Sequence, residues 1–374
     1  MKGLILVPKR GENIRKRKDG RWEARILTSD GKHQSIYAKT YLEVKQKVKN
    51  NAEIKKQEIE EKQNNLEIID TPFTILCGQW LKETEIKNKK STIAKYSKTI
   101  QKHIMPYFQS TDITKDNVNS FILEKLNEEK LQEKTVYDIV TVLLQIIKYG
   151  ENQGYIHNFR YDITRPTVTK KELEILTESE QERLVNSIRT NITHENIGIL
   201  LSLYSGMRLG EICALQWGDI DIQAGTISIT KAMQRIAVTD IQSDIKTIVI
   251  IDTPKSQKSI RTIPIPEFLK AELIRLSKHC TSETYVLTAS ENKYIEPRLY
   301  QYKFKKYLKQ AGIRNINFHA LRHTFATRAV EQNIDIKALS EILGHATVNF
   351  TLERYVHISF NFKKQNIEKL KVCY

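Results

Sequence analysis

The spacing of apolar residues divides the chain into parts with different predicted structures. Residues 1–65 show a two-residue alternation, residues 71–161 show helical spacing, and residues 175–374 show both. The polar stretch 162–174 lies between the second and third parts and is predicted to be a linker. The pattern therefore predicts a multidomain α+β chain in which most of the second and third parts is helical.

In the N-terminal part, residues 21–26 (RWEARI) alternate between charged and apolar side chains, with Asp-Gly turn signals on either side. Successive side chains of a strand point to opposite faces, so the charged ones are expected to face outward: Arg21, Glu23 and Arg25. Residues 33–38 form a further strand, and a polar helix follows over about 41–64. These elements predict a small three-stranded sheet plus a helix.

In the middle part, apolar residues three and four positions apart predict four amphipathic helices. The second helix is expected to end before Pro106, because proline lacks a backbone N–H. Lysines gather on that helix and predict a face that contacts phosphates: Lys90, Lys95 and Lys98.

The C-terminal part opens with a predicted capping box, Thr177 to Glu180, at the start of a helix. Residues 247–251 and 260–265 alternate and predict two strands joined by a polar turn, the beginnings of a small antiparallel sheet. The tail after His357 is amphipathic and is equally compatible with packing on its own domain or on a neighbouring protomer.

Composition narrows the class of protein. The 374 residues carry a net charge of +16, and half of this net positive charge, +8, lies in residues 1–65. A strongly basic chain suits a polyanionic partner such as nucleic acid. The four cysteines are far apart in sequence, which predicts reduced thiols rather than a disulfide frame or a zinc ribbon. No run of eighteen apolar residues occurs, so a soluble intracellular protein is expected.

The residues that predict chemistry lie near the C-terminus. His319, Arg322 and His323 fall at i, i+3 and i+4 of a predicted helix start, where free N–H groups also favour an anion. His345 and Tyr355 follow, and together the side chains suggest phosphate chemistry with a tyrosine nucleophile. Two other interpretations stay open: a zinc pair of histidines, although an alanine replaces the expected general-base glutamate, and ordinary structural residues.

Two upstream positions fit the same site. Arg208 opens a helix with Glu211 three residues later, a spacing that lets the carboxylate orient the guanidinium. Lys255 lies in the predicted polar turn, where a flexible ammonium can act as proton donor or phosphate contact. A solvated surface residue is the alternative for each of them taken alone.

Together these motifs resemble the tyrosine recombinase (phage integrase) family, and more narrowly the integrases of conjugative transposons and temperate phages. The matching residues occur in the family's order across about residues 175–360: Arg208 in SGMRLGE, Lys255 in TPKSQKS, His319 and Arg322 in HALRH, His345 in LGH and Tyr355 in RYVH. The resemblance implies a site-specific DNA recombinase that integrates and excises a mobile element or prophage. It implies a 3′-phosphotyrosyl intermediate and no metal, ATP or other cofactor.

The resemblance also implies a role for each residue. Tyr355 is the nucleophile, Arg208 and Arg322 clamp the phosphate, Lys255 is the acid, His319 is the base or hydrogen-bond partner, His345 binds the phosphate, and Glu211 holds Arg208. The implied domains are an arm-type DNA-binding domain (1–65) with Arg21 and Arg25 towards DNA, a core-binding domain (71–161), and a catalytic domain (175–374).

The implied partners are double-stranded DNA at core and arm sites and a homotetramer on that DNA, with an excision factor and a host DNA-bending protein as candidates. No membrane is involved, and the expected location is the cytoplasm at the bacterial nucleoid. Two other functions share features of the pattern. A type IB topoisomerase uses the same chemistry, but the basic N-terminal module favours a recombinase. A non-catalytic DNA-binding protein has no need of both Tyr355 and Lys255.

Overall fold

The structure is a computed structural model that describes residues 14–17, 19–27, 33–50, 72–169, 172–238, 245–254, 257–356 and 367. Lys255 and nearly all of the amphipathic tail lie outside the described residues, as does the second half of the helix expected over 41–64. Within the described part, the predicted α+β class is confirmed: a small N-terminal sheet precedes a helical region, and a mostly helical C-terminal region contains further small antiparallel sheets.

The N-terminal module contains three antiparallel strands, β1 (Ile14–Lys16), β2 (Trp22–Leu27) and β3 (His33–Ala38), in the order β1-β2-β3, followed by helix α1 (residues 41–50). Ala24, Ala38 and Val44 form its small buried core. The core joins one face of the sheet to α1, as the alternation predicted.

Glu23 differs from the expectation of an outward, solvated side chain, because only 2% of it is exposed. It does point to the charged face, but arginines cover it there. Its carboxylate accepts from Arg15 Nε (3.0 Å) and Ser35 Oγ (2.8 Å), and the guanidinium of Arg25 lies 3.6 Å away. These partners hold the pKa of Glu23 down at about 2, Ser35 and Arg15 contributing most. Period-two alternation identifies the face of a side chain but not what lies over it.

The helical region begins with α2 (Pro72–Lys87) and α3 (Lys90–Thr99). It continues through α4 (Met105–Phe108), α5 (Lys115–Asn127) and α6 (Glu133–Asn152). Helix α6 is the most buried and contributes a broad apolar face to the core of this region: Val136, Ile139, Val140, Leu143, Ile146 and Ile147. That breadth matches the continuous apolar spacing of its sequence.

The prediction that the second helix ends before Pro106 was wrong. A π-helical turn, Ile100–Ile104, connects α3 directly to α4, and Pro106 lies in the first turn of α4. The wider π turn just before Pro106 accommodates both the missing N–H of proline and the proline ring, which would otherwise crowd a carbonyl of the preceding turn. The helix register therefore shifts at the π turn and the chain stays helical as far as Phe108.

The C-terminal region contains helices α7 (Glu178–Arg189), α8 (Ile197–Ser205), α9 (Leu209–Ala214), α10 (Glu267–Ser277), α11 (Pro297–Gln310), α12 (His319–Glu331), α13 (Ile336–Leu343) and α14 (Val348–Thr351). Its strands are β4 (Ile220–Asp221), β5 (Thr226–Ile229), β6 (Ala232–Ala237), β7 (Thr247–Asp252) and β8 (Arg261–Pro264). The predicted capping box is present, because Thr177 accepts from the N–H of Glu180 and the Glu180 carboxylate accepts from the N–H of Thr177.

The pairing of the last two strands corrects the sequence prediction. Strands β7 and β8 do not form a hairpin with each other. Instead β7 pairs with β6, and β8 pairs with β5 in a sheet of order β4-β5-β8. Strand β8 thus lies at the edge of the β4-β5-β8 sheet, and the segment between β7 and β8, whose residues 255 and 256 lie outside the described part, links two different sheets.

The helical and C-terminal regions meet beside this segment. Lys89 precedes α3, and its ammonium donates to the carbonyl (2.6 Å) and hydroxyl (2.7 Å) of Thr253 and to the Asp252 carboxylate (3.2 Å). None of the described helices is long and apolar enough to span a membrane.

Candidate active site

Arg208 owes its position to the sharp chain reversal after α8. Gly206 ends that helix with φ +67°, a conformation that residues with a Cβ rarely adopt. A Cβ there would also lie 2.7 Å from side-chain atoms of Leu343 and Phe325. Arg208 then begins α9, and the expected salt link is present: Nη1 donates to Glu211 Oε1 at 2.8 Å. Its Nη2 donates to the carbonyl of Gly344 at 3.1 Å.

Arg322 lies in the first turns of α12, and its side chain is almost completely buried (1% exposed). Nη1 donates to the carbonyl of Gly206 and Nη2 to the carbonyl of Leu343, each at 2.7 Å. Burial and then the nearby charge of Arg208 lower the pKa of Arg322 to about 9, so the guanidinium is still charged at neutral pH. Phe318, Leu321 and Ala329 are buried and pack this helix against the core.

Tyr355 lies in a π-helical turn, Leu352–Val356, that follows α14. Its ring is buried (2% exposed), and its hydroxyl forms a hydrogen bond of 2.9 Å with Nδ1 of His323. Because burial raises the pKa of Tyr355, the phenol keeps its proton at neutral pH and can donate it to a neutral imidazole. Arg322, Arg354 and Arg208 oppose that rise in the tyrosine pKa.

Two further histidines lie beside this pair. The ring of His345 is parallel to that of Tyr355, with centroids 6.2 Å apart, and its Nδ1 forms a 2.7 Å hydrogen bond with the Thr351 hydroxyl. The ring of His319 meets that of His323 edge to face, with centroids 4.6 Å apart. His319 is the more exposed of the two.

The site is cationic through its arginines, and its histidines are neutral. Burial lowers the pKa of His323 and of His345 to about 3. Burial and then Arg322 lower the pKa of His319 to about 4, although part of this side chain is exposed to solvent. Such a cluster is suited to an anion, whose negative charge would offset the neighbouring guanidiniums and restore the basicity of the imidazoles.

The structure brings together five of the six expected catalytic residues, with Glu211 beside them: Arg208, His319, Arg322, His345 and Tyr355. Lys255 lies outside the described residues, but both ends of its segment are described. Thr253 is held by Lys89, and Lys258 donates to the carbonyl of Ala346 at 2.8 Å, next to His345. Both flanks of the lysine segment are therefore anchored.

The sequence placed His323 near an anion but gave it no catalytic role, and it did not identify Arg354 or Arg261 as candidates. His323, rather than His319, contacts the tyrosine hydroxyl. Arg354 lowers the pKa of His323, His345 and Tyr355 by its charge, and its guanidinium lies over the Phe350 ring. Arg261 binds Glu211. The sequence did contain a signal for two of them: His323 lies four residues after His319, and Arg354 directly precedes Tyr355.

The expected DNA-contacting side chains are all exposed: Arg21, Arg25, Lys90, Lys95 and Lys98. Arg21 is paired with Asp19, and Lys95 lies 3.5 Å from Asp138. Over the described part of the chain, no group of three or more His, Cys, Asp or Glu side chains is placed to hold a metal ion. In the histidine pair that also suggested zinc, Nδ1 of His323 faces the tyrosine hydroxyl.

Comparison with known families decides the class of protein. The model of the phage integrase family matches residues 174–361, and a phage integrase N-terminal SAM-like domain matches residues 73–122. The chain belongs to the phage integrase family. The family that the sequence motifs resembled is thereby confirmed. The expected activity and enzyme class are confirmed as well: this integrase is a tyrosine site-specific recombinase that acts on DNA.

Similar proteins match most of the integrase. A tyrosine recombinase XerC-like protein of Caldanaerobacter subterraneus is 26% identical over 352 residues, which cover 87% of this chain and 90% of the relative. The ICEBs1 integrase of Bacillus subtilis is 26% identical over 313 residues, 80% of this chain and 82% of its own.

Solved structures share the fold. The Tn1549 transposon integrase in complex with transposon right end DNA has a TM-score of 0.63 and 20% identity, covering 79% of this chain and 99% of that one. A lambda integrase tetramer bound to a Holliday junction has a TM-score of 0.53 and 17% identity, covering 92% and 97%. At these identities the likeness shows a common fold.

Proposed function

We propose that this integrase cuts DNA by attack of Tyr355 on a scissile phosphodiester, and that the reaction integrates and excises a mobile element or prophage. The observation that carries the proposal is one hydrogen-bonded cluster in which Tyr355 meets His323 while Arg322 and Arg208 converge on the end of α13. The names of similar proteins, the ICEBs1 integrase and the Tn1549 transposon integrase, support a mobile element as the biological setting.

In the proposed step, the phenolic oxygen of Tyr355 forms a bond to phosphorus and the bond from phosphorus to the 5′-oxygen breaks. The product is a 3′-phosphotyrosyl link and a free 5′-hydroxyl on the other DNA fragment. The covalent intermediate conserves the energy of the phosphodiester, so a 5′-hydroxyl from a second duplex reverses the step without ATP. This reversal joins new partners and makes the reaction a recombination.

Arg208 and Arg322 are proposed to bind the non-bridging oxygens, on which negative charge develops in the transition state. A guanidinium is planar and offers several N–H donors. In each of the two arginines, backbone carbonyls or Glu211 occupy only some of those donors, so others are free for the phosphate. Both guanidiniums are held before DNA arrives, which reduces the reorganisation that catalysis requires.

His323 is proposed to accept the phenolic proton, since its Nδ1 lies 2.9 Å from the Tyr355 hydroxyl oxygen. An imidazole with a pKa near 3 is a weak base, but a bound phosphodiester adds a negative charge that raises this pKa. His319 and His345 are proposed to hydrogen bond the phosphate. Lys255 is proposed to protonate the departing 5′-oxygen, which balances the proton lost by the tyrosine.

The domains are proposed to divide the work of DNA binding. Residues 1–65 bind arm sites through Arg21 and Arg25, and residues 71–161 bind the core site through Lys90, Lys95 and Lys98. Residues 162–174 link them to the catalytic domain, 175–374. The active assembly is a homotetramer on DNA, as the lambda integrase tetramer on a Holliday junction suggests. We further propose that an excision factor and a host DNA-bending protein take part. The proposed location is the cytoplasm, at the nucleoid.

The test uses two linear duplexes that carry candidate crossover sites taken from the ends of the DNA element in which the gene lies. Wild-type protein is expected to form a protease-sensitive DNA–protein adduct and then to join the two duplexes. Tyr355→Phe should bind the same DNA and form no adduct. Tyr302→Phe, which alters an exposed tyrosine on α11, should behave as wild type.

A parallel reaction on a supercoiled plasmid that carries one of the sites separates the alternatives. Relaxation of the plasmid with adduct formation, but without any joining of the linear duplexes, would favour a topoisomerase. DNA binding without an adduct on any of the sites would favour a non-catalytic DNA-binding protein and would contradict the proposed chemistry.

A further inference from the structure

Arg261, the first residue of β8, is a third arginine beside the two proposed phosphate clamps. Its side chain is 5% exposed. Nη1 and Nη2 donate to the two carboxylate oxygens of Glu211, at 3.0 Å and 2.9 Å, in a two-pronged ion pair. Such a planar pair fixes the orientation of a carboxylate more strictly than one bond does.

The carboxylate of Glu211 has a full set of four hydrogen bonds. Oε1 accepts from Nη1 of both Arg208 and Arg261, and Oε2 accepts from the Arg208 backbone N–H (2.8 Å) and from Nη2 of Arg261. Each oxygen has two lone pairs, so no acceptor capacity is left over. Arg208 therefore donates one side-chain hydrogen bond to Glu211, in a direction set by Arg261.

Arg261 also holds the end of α13, the element that leads to His345. The carbonyls at a helix C-terminus lack intrahelical donors and attract cations. Here three consecutive carbonyls each accept from a different arginine: Ile342 from Arg261 (2.5 Å), Leu343 from Arg322 (2.7 Å) and Gly344 from Arg208 (3.1 Å).

Arg261 also packs closely against the turn at Gly344. Gly344 has φ +64°, and a Cβ at that position would lie 3.0 Å from Cδ of Arg261. The arginine thus packs directly beneath the turn that presents His345. A further bond, from Nη1 to the Ser259 carbonyl (3.1 Å), ties it to the segment that precedes β8.

We propose that Arg261 is a positioning residue of the recombinase, which holds Glu211 and the end of α13 so that Arg208 and His345 face the scissile phosphate. This inference rests on the proposed function of those residues. Without Arg261, Glu211 has Arg208 as its remaining cationic partner, and a second donor of Arg208 is drawn to the carboxylate instead of to the phosphate.

The experiment measures single-turnover cleavage by the full-length protein on a nicked core-site duplex, together with the Kd for the same DNA. Arg261→Met is expected to slow cleavage about 10- to 100-fold with little change in Kd, since it misplaces a transition-state clamp. Arg261→Lys keeps the positive charge but cannot donate two parallel hydrogen bonds to the carboxylate, so its cleavage rate should be intermediate. Arg275→Met is the matched control, because Arg275 binds Glu272 and the Ile192 carbonyl on the outer side of the same region.

Two readouts separate positioning from loss of fold. On a duplex whose scissile linkage is a neutral methylphosphonate, less charge has to be clamped, so the defect of Arg261→Met should shrink about tenfold or more. The double variant Arg261→Met/Glu211→Gln should slow cleavage far less than the product of the two single-variant rate reductions, because both residues act through Arg208. If Arg261→Met does not fold, Arg261→Lys is carried through the same two comparisons.

The inference is overturned if Arg261→Met cleaves at the rate of Arg275→Met, or if the defect is equal on phosphate and methylphosphonate. It is also overturned if the effects of Arg261→Met and Glu211→Gln multiply. Failure of the proposed function has a different signature: an adduct that persists in Tyr355→Phe, or a wild-type protein that forms none.

Discussion

Mild acid should destabilise the catalytic region because His323 is buried as a neutral imidazole. Its side chain is 7% exposed, and burial, followed by the charges of His319, Arg354 and Arg322, lowers its pKa from 6.5 to about 3. In the unfolded chain the ring takes up a proton below about pH 6.5. Between pH 6.5 and pH 3 the unfolded state therefore binds a proton that the native state does not, and the free energy of unfolding falls as the pH falls.

The size of the effect follows from the two pKa values. At pH 5 the solution is about 1.5 pH units below the pKa of the unfolded histidine, which is then almost fully protonated. Each pH unit over which the unfolded state holds one more proton than the native state lowers the free energy of unfolding by about 1.4 kcal/mol. The expected loss from His323 alone is therefore about 2 kcal/mol. Other groups that titrate in this range add to the total, so the prediction concerns the difference between the wild type and a variant without this imidazole.

The variant is His323→Asn, whose side-chain oxygen can replace Nδ1 as acceptor for Tyr355 but does not titrate. Urea unfolding at pH 7 and pH 5 is followed by fluorescence in a Trp22→Phe/Trp80→Phe background, so that Trp217 alone reports on the catalytic region. The loss of stability between the two pH values should be about 2 kcal/mol smaller in His323→Asn than in the parent protein.

Tyr355→Phe is the control, because it removes the hydrogen bond but leaves the imidazole buried. Since burial is the main cause of the low pKa, this variant should keep most of the acid sensitivity. If His323→Asn loses as much stability between pH 7 and pH 5 as the parent protein does, the ring is solvated in the native state. The neutral-histidine account of the site would then be refuted.

Three further outcomes are expected. Thr177→Ala removes the hydroxyl of a capping box and should lower the free energy of unfolding by about 1 kcal/mol in urea titrations, with cleavage unchanged. Gly344→Ala introduces a Cβ at φ +64° and should cost about 1–2 kcal/mol of stability and reduce cleavage, whereas wild-type stability would contradict the tight turn. Lys98→Gln should weaken core-site binding and reduce the slope of log K against log salt by about 0.9, and an unchanged slope would remove Lys98 from the DNA contacts.

Local patterns predicted most of the helices because their causes are local. The capping box at Thr177 and the Arg208–Glu211 spacing each act over three residues, and the structure contains both. Alternation and turn residues identified strands β2 and β3 of the N-terminal sheet for the same reason, but they did not identify β1.

The errors concern contacts between distant segments. Alternation indicated that residues 247–251 and 260–265 are strands, but not that their partners are β6 and β5 rather than each other. Helical spacing placed His319 and His323 on one side of α12. Which of them meets Tyr355 depends on where the turn after α14 docks, and that docking is set by packing more than thirty residues away.

Arg261 shows the same limit within the candidate site. In sequence it is one charged residue at the start of a strand and has no motif of its own. Its role emerges only when β8 pairs with β5 and brings the guanidinium to Glu211 and to the end of α13. Burial of a guanidinium that donates to four acceptor atoms on three residues is a property of the assembled structure.

The most direct test of the central claim is to identify the residue that becomes linked to DNA. After reaction with a nicked core-site duplex and nuclease digestion, trypsin should cut after Arg354 and release residues 355–363 (YVHISFNFK), in which Tyr355 is the only tyrosine. Mass spectrometry is expected to find a nucleotide on that tyrosine. A nucleotide on another residue, or strand cleavage with this peptide unmodified, would contradict the assignment of Tyr355 as the nucleophile.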